Sequence, residues 1–113
     1  MKGLEEKLGY KFKNIDLLKN ALTHSSYANE VRGGFSSNER LEFLGDSVLS
    51  IIVSDYIYRH FRSLPEGELT KLRASLVCEK SLCTFSRELE LGKYLMLGKG
   101  EDKGGGRERD SIL

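Results

Sequence analysis

The feature that most constrains this chain is the apolar stretch from Asn38 to Phe61, which carries three acids close to its start. It opens as Asn38-Glu39-Arg40-Leu41-Glu42-Phe43-Leu44-Gly45-Asp46-Ser47-Val48-Leu49. It then continues through Ile51, Ile52, Val53, Tyr56 and Ile57. The pattern predicts one long helix from about Asn38 to Phe61. At about 100° per residue, Glu39, Glu42 and Asp46 fall within an arc of roughly 60°. Leu41, Leu44, Val48 and Ile52 gather on the opposite side, and Leu49, Ile51 and Val53 carry apolar surface most of the way round. A helix of that kind is expected at the centre of a domain rather than on its surface.

Three carboxylates on one line of a central helix need a physical reason. A buried ionised carboxylate is costly unless it is paired or holds a metal, and Glu42 and Asp46, four apart, repel each other. One reading is a solvated acidic stripe, or salt bridges to nearby Arg40. The other is a site for a hard divalent cation, which takes oxygen ligands and is commonly held by one or two carboxylates plus water.

The rest of the chain reads as further helices. Leu4 to Leu8 suggests a short opening helix stopped by Gly9. Asn14 is placed to cap a second one, whose inner face is Ile15, Leu18 and Leu22. That helix is expected to end at His24, to which no proton-transfer role is given. Ala28 to Ser37 reads as a loop broken by Gly33-Gly34, after which Ser37 or Asn38 caps the long helix. Gly45 inside the long helix costs roughly 1 kcal/mol relative to Ala, a cost that close approach of another backbone would explain. Pro65 suits the start of the next helix, where its missing N–H goes unused; Leu69, Leu72, Leu76 and Val77 form that helix's face. Glu79 to Leu91 is expected to be helical with Leu82, Phe85 and Leu89 inward and Gly92 as its stop. Gly98 to Gly106 holds five glycines in nine residues and reads as a flexible loop. Arg107 to Leu113 is expected to start another helix, with Asp110-Ser111 as cap.

With 113 residues and a single Pro, the chain fits one all-α domain. Eighteen basic residues against seventeen acidic ones leave a formal charge of +1, which does not single out a polyanionic partner. Cys78 and Cys83 lack the spacing of a zinc site or a disulfide and are read as reduced, core-facing thiols. Neither a leader nor a run long enough to span a bilayer is evident, so no membrane association and a cytoplasmic location are expected.

Asn-Glu-Arg-Leu-Glu-Phe-Leu-Gly-Asp-Ser at 38–47 resembles the hallmark segment of the ribonuclease III family. Leu22-Thr23-His24-Ser25-Ser26-Tyr27-Ala28 and Glu66-Gly67-Glu68-Leu69-Thr70-Lys71-Leu72-Arg73-Ala74-Ser75-Leu76-Val77 resemble the same family in the same order, so the likeness covers nearly the whole chain. It implies a ribonuclease III-type endonuclease domain over 1–113, a helical bundle around the long hallmark helix. The implied activity is Mg²⁺-dependent endonucleolytic cleavage of double-stranded RNA, with Mn²⁺ as a substitute, leaving 5′-phosphate and 3′-hydroxyl ends in rRNA and mRNA processing.

By the same resemblance Glu42 and Asp46 are the metal ligands. Glu39 is a catalytic acid that organises the site, and Glu66 a further catalytic acid near the cleavage point. Lys71 and Arg73 are candidates for RNA phosphate contact. The implied assembly is a homodimer with Phe43 and Leu44 at its interface. The family normally continues after Ser-Ile-Leu with an Asp and a Glu that complete the metal cage, and then with a double-stranded-RNA-binding domain. Here Ser111-Ile112-Leu113 closes the sequence, so the expectation is an active parent protein and an inactive 113-residue piece. The alternative from another class is a non-catalytic relative, an RNA-binding or assembly module that keeps the fold.

Overall fold

The computed structural model describes residues 2–31 and 36–113. In order, the helices are α1 (Lys2–Leu8), α2 (Ile15–Ala21), α3 (Ser25–Glu30), α4 (Glu39–His60), α5 (Glu66–Leu76), α6 (Glu79–Glu88) and α7 (Lys99–Lys103). Short 3₁₀ turns lie at Leu91–Lys93 and Gly106–Glu108. The all-α class follows the sequence reading. The loop expectation at Gly33-Gly34 lies outside the described residues.

The main buried cluster is formed by the first two helices. Leu4 of α1, Leu18 of α2 and Leu22 are buried together, with Phe12, Ile15, Leu91, Tyr94 and Leu95 packed around them. Asn14 caps α2 as expected, its Oδ1 accepting from Asp16 N at 3.1 Å. Gly9 ends α1 at φ 67°, a left-handed conformation that suits glycine. A single parallel bridge pairs Thr23 with Met96, flanked by Met96 N to Leu22 O at 2.9 Å and His24 N to Met96 O at 3.0 Å. The apolar segment before Gly98 is thereby zipped onto the end of α2.

The expectation of a sunken central helix is corrected. Along α4 only Ile57 is buried, whereas Phe43 is 80% exposed, Ile51 69% and Ile52 60%. The physical reason is local. Among the described elements, the long helix packs chiefly against α5, one neighbour for a surface that is apolar on most sides. Leu69, Leu72, Leu76 and Val77 of the α5 segment are therefore half-buried rather than buried. The Cα radius of gyration is 16.1 Å, against about 13 Å for a compact chain of this length. A Cβ built on Gly45 would meet nothing within 4 Å beyond its own helix, so no close backbone approach among the described residues accounts for it.

Other boundaries move for identifiable reasons. His24 does not end α2; it opens α3, its Nδ1 accepting from Ser26 N at 3.1 Å, so residues 28–30 are helical rather than loop. α6 stops at Glu88, because Glu90 takes a left-handed conformation at φ 54° before Gly92 is reached. Gly92 is needed for another reason: a Cβ there would lie 2.5 Å from Arg107 O. Within α6, Cys83 and Ser86 are the buried residues, whereas Phe85 is 46% exposed and Cys78 is exposed. Both cysteines are free thiols, as expected.

The glycine-rich segment is not a plain loop. Arg107 donates to Asp102 through Nε at 2.9 Å and to Gly92 O at 2.9 Å, and Arg109 pairs with Glu101. These bonds fold α7 back onto the second 3₁₀ turn. The expected helix from Arg107 is replaced by that turn and an irregular stretch ending at Leu113. No helix among the described residues is long and apolar enough to cross a membrane.

Candidate active site

The acids sit at the start of α4. Asn38 precedes the helix without a side-chain capping bond, and Ser37 Oγ accepts weakly from Glu39 N at 3.4 Å. The first helical bond runs from Glu42 N to Asn38 O at 2.8 Å. Glu39 and Glu42 therefore occupy the first turn, where the helix dipole favours negative charge and offsets part of their mutual repulsion. Asp46 follows one turn further along the same edge. All three are exposed, and none takes part in an ion pair among the described residues. The reading in which Arg40 neutralises the stripe is not what the structure shows.

Glu39 and Glu42 open on a cleft of about 800 Å³, shared with His24, Asn38, Glu79, Cys83 and Asp110. Asp46 and Glu66 are not among its lining residues. Glu66 begins α5, where it faces solvent. Glu79, in the first turn of α6, is a cleft carboxylate that sequence reasoning missed. No local signal marks it, because its place depends on how the chain brings α6 and α4 to the same cleft. Asp110 also lines the cleft, but it is held by Arg87, and its carbonyl accepts from Cys83 Sγ at 3.0 Å.

The candidate phosphate contacts lie apart from this cleft. Lys71 approaches Glu68 at 3.6 Å, an exposed pair of little energetic weight. Arg73 donates through Nη1 to Ser54 Oγ at 2.9 Å and lines a separate cleft of about 450 Å³ with Ser50, Ser54 and Tyr58. Phe43 and Leu44 stand out from α4, 80% and 59% exposed, and so are not core residues of this chain.

The donor set suits a hard divalent ion in kind: carboxylate oxygens on one helix edge, in no ion pair among the described residues, with room for water. It is incomplete in number. Among the described residues no three His, Cys, Asp or Glu side chains converge closely enough to hold a metal ion.

Residues 14–113 match the family model described as Ribonuclease-III-like. The chain is 61% identical over 111 residues to Ribonuclease 3 of Oceanobacillus iheyensis, covering 97% of this chain and 49% of that protein. It is 56% identical over 110 residues to Ribonuclease 3 of Caldanaerobacter subterraneus subsp. tengcongensis, covering 97% and 48%. It thus spans about half the length of the curated relatives it matches. A crystal structure of the nuclease domain of ribonuclease III from Campylobacter jejuni superposes with a TM-score of 0.88 at 43% identity, covering 99% of this chain and 73% of that one. A second structure of that nuclease domain, described for flexibility in a region involved in dimer formation, matches at 0.88 and 44%, covering 97% and 73%. Sequence and fold agree: this chain belongs to the ribonuclease III family.

Proposed function

We propose that the protein carrying this chain is an endoribonuclease that hydrolyses phosphodiester bonds of double-stranded RNA, with residues 1–113 belonging to its endonuclease domain. The observation that supports this most is the line of Glu39, Glu42 and Asp46 on one edge of α4, exposed and in no ion pair among the described residues, with Glu39 and Glu42 opening on a cleft. A scissile phosphate is already anionic, so carboxylates beside it make chemical sense when a cation lies between them. Bound Mg²⁺, or Mn²⁺ in its place, would offset that charge and make a water acidic enough to attack.

In this reading Glu42 and Asp46 supply ligand oxygens, Glu39 orders the first turn, and Glu66 is a further acid near the cut. Lys71 and Arg73 contact RNA phosphates. The products carry 5′-phosphate and 3′-hydroxyl ends, and the setting is rRNA and mRNA processing in the cytoplasm. The exposure of Phe43 and Leu44 supports a homodimer, since two large apolar side chains on one helix end gain free energy by leaving water.

The test is cleavage of a labelled RNA duplex by protein of the relatives' full length, with Mg²⁺ and with chelator. Metal-dependent scission lost in Glu42→Gln and Asp46→Asn is the expected result. Scission unchanged by chelator would overturn the assignment. The 113-residue chain alone, in which no three His, Cys, Asp or Glu side chains converge among the described residues, is expected to leave the duplex intact. The second reading is an RNA-binding or assembly module that keeps the fold without catalysis. Full-length protein that retains duplex RNA in a filter assay yet never cuts it would select that reading.

A further inference from the structure

The entry into α4 is built differently from the entry into α2. Asn14 uses its side chain on its own helix, accepting from Asp16 N. Asn38 holds the equivalent position before α4 but makes no capping bond. Its Nδ2 donates to Ala21 O, at the end of α2, at 2.9 Å, and its backbone N–H donates to Thr23 O at 2.8 Å. A carbonyl only accepts, so the amide nitrogen of Asn38 must be the atom facing Ala21. Asn20 closes the other side, its Nδ2 reaching Ser36 O at 2.7 Å and Ser37 O at 3.2 Å.

The anchor itself is firm. Thr23 is 2% exposed, its Oγ1 donates to Lys19 O at 2.7 Å, and it pairs with Met96. Asparagine is among the best capping residues. Here that side chain is diverted from its own helix to the neighbouring one. Because Glu42 N bonds to Asn38 O, whatever fixes Asn38 also fixes the turn that carries Glu39 and Glu42.

We propose that Asn38 is a positioning residue for the metal-facing acids, setting the direction in which the first turn of α4 presents Glu39 and Glu42 to the cleft. This rests on the reading of Glu39, Glu42 and Asp46 as the acids that meet a divalent ion. Ligand geometry of that kind must hold to within about 0.5 Å, which the end of a helix does not guarantee without a tether.

The test is a titration of the chain with Mn²⁺ alone, read as paramagnetic broadening of the amides from Glu39 to Asp46. Asn38→Ser keeps a neutral capping side chain but is too short to reach Ala21. Asn38→Asp caps well and adds a negative charge, which by Coulomb attraction alone would tighten Mn²⁺, yet it cannot donate to Ala21 O. Both are expected to weaken Mn²⁺ binding at least fivefold with helix content unchanged. Asn14→Ala, which loosens α2 without touching the tether, is expected to lower the melting midpoint and leave Mn²⁺ binding unaltered. Binding within twofold of the parent in Asn38→Ser and Asn38→Asp would overturn the proposal while leaving the metal reading intact. Equal weakening in Asn14→Ala would overturn it too, by showing general loosening. No broadening in the parent chain would remove the metal reading, and this proposal with it.

Discussion

Arg73 of α5 donates through Nη1 to Ser54 Oγ of α4 at 2.9 Å, and this bond joins the long helix to the neighbour that covers it. A hydrogen bond from a charged donor in a half-buried setting typically stabilises by about 1–2 kcal/mol. Arg73→Ala should therefore lower the unfolding free energy by about that much, and a double-mutant cycle with Ser54→Ala should be non-additive by about 1 kcal/mol. Additive losses would show that the two side chains do not depend on each other. The proposed phosphate contact has a separate signature: the salt slope of duplex RNA binding should fall by about one in Arg73→Ala.

Much of the fold was legible in the sequence because helix signals are local. Asn14, Gly9 and Pro65 punctuate helices by chemistry that acts within a few residues, and each stands where that chemistry puts it. The acids of α4 were legible for the same reason, since spacings of three and four fix a common edge whatever surrounds it. What escaped depends on contacts distant in sequence. The helical fold of the glycine-rich segment rests on Arg107 and Arg109 reaching back to Asp102 and Glu101. Glu79 enters the cleft through the docking of α6. The burial expected of α4 failed because periodicity reports which surfaces are apolar, not whether anything covers them.

On the proposed reading, Glu42 and Asp46 trade stability for function. Like charges four apart on an exposed helix face cost about 0.2–0.5 kcal/mol. Asp46→Asn should leave the melting midpoint unchanged or raise it slightly, while abolishing Mn²⁺-induced broadening. Glu42→Gln should do the same, less any loss of dipole stabilisation in the first turn. A clear drop in midpoint for Asp46→Asn would mean that this carboxylate has a structural partner.

Phe43 projects from α4 with most of its ring in water. Phe43→Ala should therefore change the stability of the isolated chain by no more than about 0.5 kcal/mol. Self-association, measured by sedimentation across a concentration series, should weaken at least tenfold. A large loss of monomer stability would place the ring in a core instead.

The two thiols should differ in reactivity. The hydrogen bond between Cys78 and the Ser81 side chain, reinforced by backbone N–H groups at the start of α6, holds exposed Cys78 below the usual thiol range. Burial pushes Cys83 up, and the nearby Asp110 charge adds to the effect. Since the thiolate is the nucleophile, iodoacetamide at neutral pH should label Cys78 first. Mass spectrometry of a time course should find Cys83 modified only as the chain opens. Equal rates would contradict both environments.

Glu90 links the chain's beginning to its later half, accepting from Lys7 and, at 3.1 Å, from Lys93. The Lys7 hydrogen bond, followed by that of Lys93, holds its carboxyl below the ordinary glutamate value. For a depressed carboxylate the sign is fixed. Its contribution is present above the unfolded value and is lost as pH falls through the folded one. Glu90→Gln is the appropriate comparison, because Gln keeps the Cβ and so keeps the cost of the left-handed backbone at φ 54°. Gly would relieve that cost and confuse the result. The wild-type chain should unfold at higher denaturant than Glu90→Gln near pH 7, and the gap should close as pH falls below the ordinary glutamate value. A gap independent of pH would show that the carboxylate's charge plays no part in joining Lys7 to the Leu91–Lys93 turn.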